Sequence, residues 1–125
     1  MLTFLKEILL SSLHALWRSN GDWFMGLACY LEDERGKKMD SFLDPKNILL
    51  ELLLDPHEGF LLTKYIDPYG DTVFNQLQIP QLITELKLLE SLTTGMENQE
   101  FIRQLIEFVE KSRGKIHCYI KFYGD

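Results

Sequence analysis

The sequence predicts an α+β fold, an antiparallel-rich sheet of about three to five strands with helices packed on one side. Three observations lead there. In the last segment Ile116, Cys118, Ile120 and Phe122 alternate with Lys115, His117, Tyr119, Lys121 and Tyr123, the period-two pattern of a strand with one buried face. Residues 82–89 and 101–109 instead repeat apolar side chains at three- and four-residue spacing, as amphipathic helices do. Between such patterns the chain is punctuated by Asn20-Gly21, Asp44-Pro45, Asp55-Pro56 and Pro68-Tyr69-Gly70, which mark turns and helix ends.

Taken in order, Leu5, Leu9, Leu13 and Leu16 set one face of a helix over residues 3–17, and Asn20-Gly21 stops it. Trp23 to Leu31 is almost wholly apolar and rich in aromatics, so it reads as a strand covered on both faces. Glu32 to Lys38 is a charged turn around Gly36 leading into a short strand near Met39–Leu43. Asp44 then offers an N-cap with Pro45 at the first helical position, and Ile48, Leu49, Leu52 and Leu53 supply the helix face until Asp55-Pro56. Phe60 to Ile66 reads as another strand, closed by a type I turn at Asp67-Pro68-Tyr69-Gly70, with a brief extension at Thr72-Val73-Phe74. Pro80 opens a helix over Leu82, Ile83, Leu86 and Leu89, Gly95 breaks it, and a second runs from Asn98 to Lys111 as its antiparallel partner.

The 125 residues suit one hydrophobic core and are too few for two, so a single domain over 1–125 is expected. Hydrophobic residues make up 46% and charged residues 26%, close to the globular average. The formal charge is −6, and residues 22–110 hold 17 acids against 7 bases. Such a surface repels a phosphate backbone, so nucleic acid is not the expected partner, whereas a basic protein would be steered toward it. No stretch has the uninterrupted apolar length of a bilayer span, and Lys6 and Glu7 interrupt the apolar start, so neither a membrane partner nor an export signal is expected. Cys29 and Cys118 sit within apolar segments, which favours buried reduced thiols and a cytoplasmic location.

Recognised chemistry-bearing patterns are missing. His14, His57 and His117 form no zinc-type pair, and His117 and Cys118, adjacent in a strand, point to opposite faces. No serine stands in a nucleophile elbow, and no glycine-rich phosphate loop is present. No cofactor and no metal are therefore expected. Two groups of residues remain. His117, Tyr119, Lys121 and Tyr123 share a strand face at roughly 7 Å intervals, mixing the amphipathic rings and donors used at interfaces; the plainer reading is an ordinary solvent face. Asp67, Tyr69 and Asp71 form the second group, whose plainer reading is turn and cap chemistry.

At Ile66-Asp67-Pro68-Tyr69-Gly70-Asp71-Thr72-Val73-Phe74-Asn75 and Tyr119-Ile120-Lys121-Phe122-Tyr123-Gly124-Asp125 the chain resembles small, uncharacterised bacterial single-domain proteins, similar in size and acidity to toxin-immunity proteins. That resemblance implies a bacterial cytoplasmic protein and carries over no catalytic residue. The leading expectation is a non-enzymatic protein-binding module, of the kind that inhibits a basic toxin, with Asp67, Tyr69, Asp71, His117, Tyr119, Lys121 and Tyr123 as its binding residues. Two other classes stand beside it: a small hydrolase or ligand-binding domain using carboxylates near Asp67, Asp71 and Asp125, and a homodimer pairing through a sheet edge or the tyrosine face.

Overall fold

A computed structural model describes residues 27–53 and 59–124. The helix expected at residues 3–17, the first residues of the strand expected from Trp23, the Asp55-Pro56 stop, His14, His57 and Asp125 lie outside them. The described chain is an α+β fold: a four-stranded antiparallel sheet with three helices packed against it.

The strands are β1 (Ala28–Asp33), β2 (Lys38–Leu43), β3 (Asp71–Phe74) and β4 (Cys118–Tyr123), in the order β2-β1-β4-β3. β1 and β4 are therefore central, and β2 and β3 are edges. The β1–β2 hairpin closes where the Asp33 carboxylate accepts the N–H groups of Arg35 and Lys37, each at 2.9 Å, and Gly36 takes φ 82°. A bulge at Met39 shifts the register, so Leu31 faces Asp40 while Glu32 faces Lys38. Cys29 lies opposite Phe42 and Phe122, and Ile120 opposite Leu31 and Phe74, which fixes the core side of the sheet.

The helices are α1 (Ile48–Leu53), α2 (Ile79–Leu92) and α3 (Met96–Glu110). Pro80 sits in the first turn of α2, where no N–H partner is lost. Gly95, at φ 93°, supplies the backbone turn into α3. Gln99 donates to the Thr93 carbonyl at 2.8 Å, and farther along Arg103 pairs with Glu90 at 3.2 Å. The partners' numbers rise on one helix as they fall on the other, so the pair is antiparallel. Leu82, Leu86, Ile102, Leu105 and Val109 of this pair meet Ile120 and Phe122 in one core, with Leu49 from α1. Phe42 reaches across from the sheet to Phe101 and Phe108, with ring centroids 5.3 and 5.7 Å apart. Each large apolar side chain fully withdrawn from water here contributes about 1.5–3 kcal/mol.

Three local expectations are corrected. Phe60 to Ile66 is not a strand: Thr63–Tyr65 is a single 3-10 turn. The N–H groups of Leu62 and Thr63, which a ladder would use, go to the Glu85 carboxylate at 2.9–3.0 Å. Pro45 is not the first helical residue, because α1 begins at Ile48. Asp44 still caps it, accepting the N–H groups of Ile48 and Leu49 at 2.7 Å across an intervening turn with Asn47 at φ 57°. Finally, β4 begins only at Cys118. His117 has φ 66°, which breaks the pleat, and Ile116, expected inside, is 67% exposed.

Candidate functional site

The second half of the sheet ends in a tightly tied turn. Asp67, Pro68, Tyr69 and Gly70 occupy its four positions, closed by the Gly70 N–H to the Asp67 carbonyl at 3.4 Å. Asp67 Oδ1 also accepts the Tyr69 N–H at 2.8 Å, as aspartate does at turns. The Asp67 N–H donates to Thr72 Oγ1 at 2.9 Å, and that hydroxyl donates to the Tyr65 carbonyl at 3.4 Å. The end of β4 joins in, because the Gly124 N–H donates to the Gly70 carbonyl at 2.6 Å. Gly124 lies so close that a Cβ there would sit 2.4 Å from the backbone of Pro68. These five hydrogen bonds fix a turn whose tip, Tyr69, is 79% exposed.

Beside the turn, Asp71 lies opposite Tyr123 and its carboxylate is 3.8 Å from the Lys121 ammonium. Lys121 stands 4.6 Å from the Tyr123 ring centroid. The neighbouring Tyr123 hydroxyl, with smaller contributions from the Glu32 and Asp71 charges, outweighs desolvation and raises the Lys121 pKa above lysine's ordinary value. On β1 the Tyr30 ring meets Tyr123 edge-on at 5.2 Å, and Lys38 stands 5.0 and 4.9 Å from the two rings. The Tyr123 hydroxyl donates to the Glu32 carboxylate, itself buried. This face of the sheet is thus a network of tyrosines, ammonium groups and carboxylates that position one another.

Of the residues singled out in the sequence, Asp67, Tyr69, Asp71, Lys121 and Tyr123 come together at one end of β3 and β4. Tyr119 shares their face farther along, half-buried opposite Glu32. His117 does not join them. It lies before the start of β4, six positions and roughly 20 Å of extended chain from Tyr123, with Nδ1 2.9 Å from Glu34. Tyr30, Glu32 and Lys38 belong to the network and were missed. Their signal was parity, since Tyr30 and Glu32 alternate with the buried Cys29 and Leu31.

The carboxylates of Asp67 and Asp71 are engaged with the turn and with Lys121, and Asp125 lies outside the described residues. Both cysteines are free; burial pushes the Cys29 thiol well above its ordinary pKa, which keeps it protonated. Among the described residues no group of three or more His, Cys, Asp or Glu is placed to hold a metal ion, and no helix is long and apolar enough to cross a membrane. Comparison with protein-family models, with curated proteins and with solved structures found no match.

Proposed function

We propose that this chain is a protein-binding module that engages a basic partner through the Asp67–Asp71 turn and the adjoining ends of β3 and β4, in the manner of an immunity-type inhibitor. The observation that carries this reading is Tyr69. A tyrosine left 79% exposed on a turn held by five hydrogen bonds pays little ordering entropy on binding. Tyr65 at 68% and Val73 at 50% exposed add apolar surface on the stretches of chain either side of the turn. Asp67 and Asp71 stand two residues either side of Tyr69 in the chain, and the formal charge of −6 supports steering of a cationic protein rather than a nucleic acid. The free thiols support a reducing compartment, which we take to be the bacterial cytoplasm.

A photo-crosslinking residue at position 69, with the exposed position 96 at the start of α3 as control, tests the reading in cells. A discrete basic protein captured from position 69 and not from 96 is expected, and equal or absent capture at 69 contradicts the proposal. With that partner in hand, Tyr69→Ala is expected to cost about 2 kcal/mol of binding, roughly thirtyfold. The same change alters stability by less than about 0.5 kcal/mol in thermal melts, because it removes little packing. Asp71→Asn should slow association chiefly at low salt, read by stopped flow across ionic strengths.

A further inference from the structure

Away from that surface, a cleft of about 270 Å³ opens between the turn that enters α1 and the first turns of α3. Ile48 and Phe101 give it an apolar wall, and its other lining groups include three carboxylates, Asp44, Glu97 and Glu100, and one ammonium, Lys46. The carboxylates do different work. Asp44 is committed to the α1 backbone N–H groups, and Glu100 is shared with Arg103 at 2.5 Å and Gln104 at 3.2 Å. Glu97 has taken the cleft's own cation, the Lys46 ammonium, at 2.5 Å. Both side chains of that last pair are largely exposed, and an exposed pair of long side chains contributes little to stability and exchanges readily.

We infer that the cleft binds a small organic amine carrying an apolar group, whose ammonium replaces that of Lys46 on Glu97 while the apolar group lies against Phe101 and Ile48. Lys46 is then an internal stand-in for the ligand's charged head. The excess of carboxylates disfavours an anion of the same shape. A neutral analogue gains the apolar wall but forfeits the charged contact. The inference is independent of the protein-binding reading, since no residue is shared between the two surfaces.

Three probes of nearly equal shape separate the contributions: phenethylamine, 2-phenylethanol and phenylacetate, titrated into the full chain at low salt and followed by backbone amide chemical shifts. Phenethylamine alone is expected to give saturable shifts, centred on residues 44–48 and 97–104, with Kd on the order of 1 mM for so small a ligand. Glu97→Gln should weaken it about tenfold, and Lys46→Met should tighten it by about fivefold, since the competing ammonium is gone. The tightening is decisive, because a merely structural Lys46 would not produce it. Equal shifts from all three probes, no saturable shift from any, or weaker binding in Lys46→Met each overturn the inference. Both substitutions are at exposed side chains, and the spectrum itself reports whether the fold persists.

Discussion

Glu85 ties the Leu62–Thr63 backbone to α2. It is 1% exposed and accepts the backbone N–H groups of Leu62 and Thr63, the Thr63 hydroxyl and the Gln81 amide. Burial pushes its carboxyl pKa upward, but these donors outweigh burial and hold it below the ordinary value. A depressed carboxyl pKa stabilises the fold fully above the unfolded glutamate value of about 4.3, and that contribution is lost as pH falls through the folded value. Glu85→Gln is therefore expected to cost about 1–3 kcal/mol at pH 7 in urea unfolding, and to lose less further stability than the parent when the pH is lowered below about 4. At Gly124, alanine would place a methyl 2.4 Å from the Pro68 backbone, so Gly124→Ala should lower stability by about 1–3 kcal/mol in a thermal melt. Neither role was legible in the sequence. Glu85 sits among apolar helix positions as a surface glutamate would, and nothing beside Gly124 in the sequence points to the Pro68 backbone.

At the scale of elements, what could be read is what has a strict period. β4 from Cys118 onward, α2 and α3 follow from alternation or helical spacing, because their apolar residues face a single core. The segment 60–66 shows why pattern fails: its apolar residues are buried at Phe60 and Ile66, but a side chain from α2 replaced the neighbouring strand as hydrogen-bond partner. Period alone does not report who accepts a backbone N–H. The cap of α1 was legible by residue type and wrong by register. Asp44→Ala is expected to destabilise the protein by about 0.5–2 kcal/mol, and circular dichroism at a fixed sub-denaturing urea concentration checks it.

Over the described molecule the fold presents two unlike surfaces. One end of β3 and β4 holds Tyr69 forward beside carboxylates, and the entry to α3 encloses an acidic cleft around Phe101. Half of the first surface was legible, since turn chemistry at Asp67–Gly70 and parity in β4 depend on local sequence alone. The rest depended on strand order: only the pairing of β4 with β1 brings Tyr30, Glu32 and Lys38 to Tyr123. Pairing of distant strands leaves no trace in any single segment, so this half of the network appears only with the fold. The proposal that the Asp67–Asp71 end is a binding surface is met most directly by amide hydrogen exchange on the chain alone and in complex with the protein captured at position 69. Slower exchange confined to residues 67–74 and 121–124 is the predicted result, and protection on α2 and α3 with those segments unchanged would contradict it.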